Sequence, residues 1–162
     1  MSSRYSFVTR WEVDAPLPAV YDVIARPLDW PQWWRAVARV VELAPGDADG
    51  VGHLLRFTWR TRLPYGLTFD MRTTRVARHR SIEGEAEGDL RGVGRWTFEP
   101  VDAAGRPRTR VRYDWTVETT RRWMQLVAPV ARPVFEWNHD VVMRWGLDGL
   151  RARHGVAAGA AA

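Results

Sequence analysis

The sequence predicts an α+β protein in which a curved antiparallel sheet of about seven strands grips a long C-terminal helix, with two short helices after strand 1. Two observations support this class. Apolar and polar residues alternate with a period of two over five consecutive segments in the middle of the chain, and a long amphipathic helical segment follows them. The 162 residues suit one domain, expected at 1–154, with a disordered tail at 155–162.

The N-terminal part predicts one strand and two short helices. Tyr5–Val13 alternates as a half-buried strand does. Asp14 is placed to cap a helix whose first turn contains Pro16, because proline is tolerated at that position. Pro27 ends this helix, and Leu28–Arg35 follows as a second short helix or helical turn.

The middle of the chain predicts six further strands. In the last five, large apolar side chains fall on one face and mostly polar or charged ones on the other, which indicates a sheet with one buried and one exposed face. The inward positions of one strand are small: Gly84, Ala86 and Gly88. Because glycines permit strong bends and leave space beside aromatic neighbours, we expect a cavity on the buried face. The six segments are Val37–Leu43, His53–Thr61, Leu67–Thr74, Ile82–Leu90, Gly92–Pro100 and Thr109–Thr119.

The orientation of one arginine is open at this stage. Strict alternation from Leu67 turns Arg75 inward, but Val76 then points outward. A β-bulge near Thr74 would reverse both side chains. An inward Arg75 would need an anionic partner, whereas an outward one is an ordinary surface residue.

A long helix is predicted over Arg121–His154. Its main segment is expected at Pro133–Arg153, because the prolines at 129 and 133 should break or kink it. At 100° per residue, Asn138 and His139 lie on the inward face of this helix. Trp137 is a large apolar residue on the outward side of the helix, beside a charged stripe. Its position indicates a contact with another element or with a second subunit.

The inward Asn138 and His139 need partners, because an unpaired buried polar group costs about 1–3 kcal/mol. Two interpretations remain open. Both residues are satisfied by backbone groups or water, or they line the cavity and meet the polar part of a ligand.

Composition restricts the partners and the chemistry. The formal net charge is +5, and all 24 basic residues are arginine. An acidic row on the Ile82–Leu90 strand can pair with flanking arginine-bearing strands, which argues against nucleic acid as a partner. No apolar run reaches the roughly 18 residues of a transmembrane helix, and no signal peptide is evident, so we expect a cytoplasmic protein.

Metal and covalent chemistry are not predicted. Cysteine is absent, and the four histidines, at positions 53, 79, 139 and 154, show no paired metal-ligand spacing. No Gly-x-Ser-x-Gly nucleophile motif and no phosphate-binding loop occur. We therefore expect neither a metal nor a cofactor.

Besides the final helix, three groups of short motifs stand out in the sequence: Val13-Asp14-Ala15-Pro16 followed by Val20, Trp30-Pro31-Gln32-Trp33-Trp34, and Gly88-Asp89-Leu90 with Gly92 and Gly94-Arg95-Trp96. With the order of the predicted elements, they resemble the helix-grip fold of the START-related SRPBCC superfamily, in particular the polyketide cyclase/dehydrase family. The resemblance covers about residues 4–153 and implies a cavity for a hydrophobic ligand between the sheet and the final helix. It implies no fixed catalytic residue, since members of the superfamily include cyclases, aromatases, carriers and regulators.

Binding of a hydrophobic small molecule is the first functional hypothesis. The ligand could be polyketide-, quinone- or lipid-like, held by apolar walls and oriented by a few polar groups. The predicted ligand-binding residues are Phe57, Trp59, Phe69, Met71, Trp96, Phe98, Tyr113, Trp115, Asn138, His139, Val142 and Trp145.

Two alternatives stay open. The first is an enzyme of the polyketide cyclase, aromatase or dehydratase type, with His139 as acid or base and Asn138 or Tyr113 holding a carbonyl oxygen. The second is a protein- or ribosome-interaction module that uses Trp137 and the arginine-rich outer face. The sequence leaves the oligomeric state open.

Overall fold

Seven antiparallel strands form one sheet in the computed structural model, which describes residues 4–155. They are β1 (Arg4–Val13), β2 (Val37–Ala44), β3 (Leu54–Arg60), β4 (Gly66–Ala77), β5 (Ser81–Gly88), β6 (Leu90–Ala103) and β7 (Arg106–Thr119). The spatial order is β1-β7-β6-β5-β4-β3-β2, so that β2 to β7 pair as successive hairpins and β1 returns beside β7. The two edges of the sheet are therefore β1 and β2.

Helices lie before β2 and after β7. α1 (Leu17–Ile24), a 3-10 turn at Pro27–Asp29 and α2 (Trp30–Trp33) connect β1 to β2, and α3 (Arg122–Arg153) ends the described chain. The predicted fold class is confirmed: α+β, with an antiparallel sheet, two short helices after strand 1 and a long C-terminal helix. The predicted tail lies outside the described residues from position 156 onward. Within residues 4–155, no helix combines the length and hydropathy that a membrane crossing requires.

The start of α1 differs from the prediction. Its N-cap is Pro16, and no side chain caps the helix. Asp14 instead accepts a hydrogen bond from Arg108, with 2.7 Å between Oδ1 and Nε. The expected cap at Asp14 is wrong because a cation on the neighbouring β7 takes the carboxylate that the helix would have used.

The expected break in the C-terminal helix is also wrong. α3 runs without interruption from Arg122 to Arg153, through both Pro129 and Pro133. Both prolines are exposed, as is Gln125. Water can therefore solvate the carbonyl groups that lose their intrahelical partners, at residues 125 and 129, and the helix continues.

A β-bulge settles the orientation of Arg75. The pairing of β4 with β5 shifts register between Thr73 and Arg75. Arg75 is exposed, and Val76 turns to the inner face of the sheet, where it lines a cavity. Beyond the bulge, Glu83 lies opposite Arg75 on one side and Arg95 on the other, so charges of both signs alternate on the outer face.

Two glycines let α3 approach the tryptophans of α2 and its C-cap. A Cβ on Gly146 would lie 2.5 Å from Cε2 of Trp34, and one on Gly149 would overlap the backbone oxygen of Trp33. The Trp34 indole, only 1% exposed, donates a 2.9 Å hydrogen bond to the backbone oxygen of Val142. This contact joins the WPQWW segment to α3 and closes one end of the space between helix and sheet.

Candidate functional site

A cavity of about 240 Å³ lies between the inner face of the sheet and α3. Its wall is largely aromatic and apolar. Ten of the twelve residues predicted from the sequence line it: Phe57, Trp59, Phe69, Met71, Trp96, Tyr113, Trp115, Asn138, His139 and Val142.

Two predicted wall residues lie elsewhere. Phe98 is buried but packs edge-on against Tyr21 of α1, with ring centroids 5.0 Å apart. Trp145 is half-buried, and the guanidinium of Arg35 lies 4.5 Å from its ring centroid. Both belong to the packing around the short helices. Alternation places a residue on the inner face of a strand or helix without telling whether a neighbouring element covers it.

Other wall residues were missed from the sequence. They come from the first strand, the tryptophan-rich segment, the β3–β4 loop and the first half of α3. The alternation of β1 could have identified Tyr5 and Phe7, since Phe7 pairs in register with Trp115. No periodic signal marks the loop residue. The main missed residues are Tyr5, Phe7, Trp30, Trp34, Tyr65 and Phe135.

His139 is the most unusual polar group in the wall. Its side chain is 14% exposed, and within the described chain neither ring nitrogen has a hydrogen-bond partner. Nδ1 is 3.8 Å from Oδ1 of Asp140, which is beyond hydrogen-bond distance. Burial lowers the pKa of His139 to about 4, and the nearby Asp140 carboxylate only partly opposes this shift. The imidazole is therefore neutral at pH 7, with one N–H donor and one nitrogen acceptor.

Asn138 has a structural partner. Its Oδ1 accepts a 3.0 Å hydrogen bond from the backbone N–H of Arg62, in the loop between β3 and β4. The side chain is buried, so this bond holds the loop against α3. The Asn138 carbonyl oxygen is thus satisfied by the backbone, whereas no protein group among residues 4–155 satisfies either ring nitrogen of His139.

Other residues of the wall also carry buried polar groups. The Trp59 Nε1 and the Tyr5 hydroxyl are buried and have no hydrogen-bond partner among residues 4–155. The Tyr113 hydroxyl lies where a Cβ on Gly94 would be, and burial raises the pKa of Tyr113. Thr61 is different, because its hydroxyl oxygen lies 2.7 Å from the backbone oxygen of Tyr65 and serves the loop.

The wall contains no arginine, although all 24 arginines lie within the described residues. Its carboxylates are Asp49 and Glu83. Asp49 is exposed in the loop between β2 and β3, and Glu83 faces Arg75 and Arg95 in register. The second histidine of the wall, His53, is held by Glu42, with 2.6 Å between Nε2 and Oε2. The cavity therefore offers mostly apolar surface with a few hydrogen-bonding groups, and no arginine to receive an anion.

Comparisons with known proteins agree with this architecture. A family model described as "Polyketide cyclase / dehydrase and lipid transport" matches residues 4–155. No curated protein matches the chain. The solved structure of the Zhui aromatase/cyclase from Streptomyces sp. R1128 has a TM-score of 0.70 at 19% identity, with 93% of each chain covered. A START superfamily protein from Mycobacterium smegmatis has a TM-score of 0.73 at 18% identity, covering 92% of this chain and 96% of that one.

One similar structure is about twice as long. The di-domain ARO/CYC BexL, from the BE-7585A biosynthetic pathway, has a TM-score of 0.68 at 19% identity. The match covers 94% of this chain and 50% of BexL, so the chain spans about half the length of that protein. At these identities the solved structures show a shared fold.

Proposed function

We propose that this chain, which belongs to the polyketide cyclase/dehydrase and lipid transport family, binds an uncharged hydrophobic small molecule between the sheet and α3. One observation carries the proposal. The cavity wall combines aromatic side chains with buried, unpaired hydrogen-bonding groups and contains no arginine. Such a wall matches the usual composition of a small-molecule site, which is mostly apolar with a few polar groups that orient the ligand.

The absence of arginine from this wall selects against an anionic ligand. Moving a carboxylate from water into an apolar cavity is costly unless a charged or strongly hydrogen-bonding partner receives it. Neutral His139 supplies no positive charge at pH 7, and His53 already faces the Glu42 carboxylate at 2.6 Å. A free fatty acid or a phosphorylated lipid head group is therefore a poor match for the interior of this cavity.

The unpaired polar groups favour a ligand that carries oxygen. The Trp59 N–H is a donor only, the Tyr5 hydroxyl donates or accepts, and neutral His139 does both. Each unpaired group costs about 1–3 kcal/mol, which a ligand oxygen would recover on binding. A ketone, quinone or phenol on a ring system meets these requirements.

The size of the cavity favours a compact ligand. Its volume of about 240 Å³ is just below the roughly 300–1,000 Å³ typical of sites for drug-sized ligands. Planar rings suit the many flat aromatic side chains of the wall, for example the Trp96 and Tyr113 rings, which stack with centroids 4.2 Å apart.

A matched pair of probes tests the proposal. Methyl 2-naphthoate and 2-naphthoate share one ring system and differ in charge. Each probe is titrated at pH 7.5, and quenching of tryptophan fluorescence reports its binding. The ester is expected to bind at least about tenfold more tightly than the carboxylate, because only the anion loses its hydration without compensation. Equal or tighter binding of the carboxylate, or no binding of either probe, would contradict the proposal.

Catalysis is the second candidate, and His139 is the observation that favours it. Neither of its ring nitrogens has a hydrogen-bond partner among residues 4–155, so both are available beside the cavity, as an acid or base requires. A pKa of about 4 makes this imidazole a weak base at neutral pH, and the Asn138 oxygen is already bonded to Arg62. The geometry thus supports binding better than turnover.

The His139→Ala variant separates the two candidates. A binder is expected to lose affinity for the ester, and neither protein would form a product from a poly-β-ketone. An enzyme is expected to retain binding and lose turnover. Chromatography of the products measures the turnover. If neither binding nor turnover changes, His139 has no part in either function.

A further inference from the structure

The outward side of the first half of α3 is an apolar stripe. On a helical wheel with 100° per residue, all residues of the stripe project within about 60° of Val130. No charged residue between positions 122 and 141 projects into this sector. Six of the seven side chains are 40–87% exposed large hydrophobics, and Pro133 is exposed too. The stripe consists of Trp123, Leu126, Val127, Val130, Pro133, Val134 and Trp137.

A helix that is apolar on both its buried and its outward sides is normally covered on both. The buried side of α3 packs on the sheet through Met124, Phe135 and Val142. Apart from Trp123, which packs against Tyr65, the stripe has no such cover within residues 4–155. An exposed apolar patch of this kind marks an interaction surface.

The spacing of the stripe is symmetrical about Val130. Its other members lie three, four and seven positions before and after this residue: Val127 and Pro133, Leu126 and Val134, Trp123 and Trp137. In a two-fold interface, residue i contacts residue j of the other copy, and j contacts i. An antiparallel pair of α3 helices with its axis at Val130 therefore sets each Trp123 opposite Trp137 of the second copy.

The charges beside the stripe fit the same arrangement. Arg122 lies on one side of its beginning, and Glu136 and Asp140 lie on that same side of its end. Same-side positions of two antiparallel helices face each other, so Arg122 of one copy lies beside Glu136 and Asp140 of the other. A parallel pair would lack this match.

We infer that the apolar stripe is the interface of a homodimer in which two α3 helices pack antiparallel about Val130. The inference does not depend on the proposed function. The interface would adjoin the ligand cavity, because Trp123 packs edge-on against Tyr65, a residue of the cavity wall, with ring centroids 5.3 Å apart.

Cross-linking tests the position of the axis, and the absence of cysteine makes each introduced thiol unique. Packed helix axes lie about 8–10 Å apart, which leaves about 3–5 Å between two Cα atoms that face each other across the axis. This range overlaps the roughly 4.4–6.8 Å that a disulfide spans. On a non-reducing denaturing gel, oxidised Val130→Cys is expected to run as a covalent dimer. Val93→Cys, at a valine 42% exposed on the sheet, is expected to run as a monomer because it forms no cross-link.

Sedimentation equilibrium of the full chain tests the energetics. Val130→Arg should raise the dimer dissociation constant at least about tenfold, since two like charges meet at the axis, and Val93→Arg should leave it unchanged. Arg122→Glu should weaken the dimer, and adding Glu136→Arg and Asp140→Arg should restore it. A wild type that stays monomeric at all concentrations, a dimer insensitive to Val130→Arg, or a monomer that binds neutral-lipid vesicles through Val130 would overturn the inference.

Discussion

The imidazole of His139 lies face to face with the phenyl ring of Phe7, with centroids 3.9 Å apart and an angle of 11° between the planes. The stack joins α3 to the edge strand β1 at the cavity wall. Both imidazole nitrogens are buried and unpaired in the described chain, so ring packing rather than hydrogen bonding positions this residue. Another flat ring could hold the same place without the polar atoms.

His139→Phe is therefore expected to stabilise the protein while weakening its ligand binding. The phenyl ring keeps the stack on Phe7 and removes unpaired polar atoms that burial penalises, which favours the folded state by about 1 kcal/mol. Urea denaturation measures the free energy of unfolding, and fluorescence titration with methyl 2-naphthoate should show about tenfold weaker binding. A large loss of stability would instead identify His139 as a satisfied structural residue.

Acid should destabilise the wild type through His139. Burial lowers the pKa of this histidine from 6.5 to about 4 in the folded protein. Between these values the unfolded chain binds more protons than the folded one, so the free energy of unfolding falls as the pH decreases. The loss begins near pH 6.5 and approaches about 3 kcal/mol below pH 4.

Comparison with His139→Phe isolates this effect from the carboxylates, which titrate in part of the same range. The variant should lose less stability than the wild type between pH 7 and pH 4.5. Parallel curves for the two proteins would show that His139 does not titrate differently in the folded and unfolded states.

Much of the fold could be predicted because alternation determines which side of a strand is buried. Phe57 on β3 and Trp115 on β7 are both buried as predicted. The capping of α1 and the continuity of α3 through its prolines could not be predicted from local preference. The role of Asp14 depends on Arg108, which is far away in sequence although its strand lies beside β1. The effect of Pro129 on the helix depends on which side of α3 is exposed to solvent.

The candidate site was less predictable, because its chemistry depends on contacts between distant residues. The helical wheel put Asn138 and His139 on the same inward face. Whether each is satisfied depends on which strand or loop lies opposite, and only Asn138 meets a backbone N–H. The stripe around Val130 was likewise visible only through Trp137, since the exposure of its neighbours depends on how α3 packs on the sheet.

Asn138→Ala should loosen the β3–β4 loop. The substitution removes the acceptor of the Arg62 backbone N–H, at 3.0 Å, and leaves a partly buried donor unpaired. The expected cost is about 1–3 kcal/mol in the free energy of unfolding. Hydrogen exchange gives the specific measurement, because the Arg62 amide should exchange faster while the amides of β7 keep their protection. An unchanged Arg62 exchange rate would mean that this bond does not hold the loop.

Gly94→Ala should reduce the space available to the ligand. Gly94 is buried on β6, and an added Cβ would meet the Tyr113 hydroxyl and come within 2.9 Å of the Trp115 ring. Because both rings lie in the cavity wall, they must move toward its interior. Overpacking of this kind costs about 1–3 kcal/mol of stability.

Ligand affinity is the deciding measurement for Gly94→Ala. Binding of methyl 2-naphthoate should weaken at least about tenfold, while circular dichroism shows a folded protein. Val93→Ala is the matched control, since this neighbouring side chain is exposed on the opposite face of β6 and should leave the affinity unchanged. If Gly94→Ala binds the ester as tightly as the wild type does, the ligand does not occupy the space beside Tyr113 and Trp115, and the proposed site lies elsewhere.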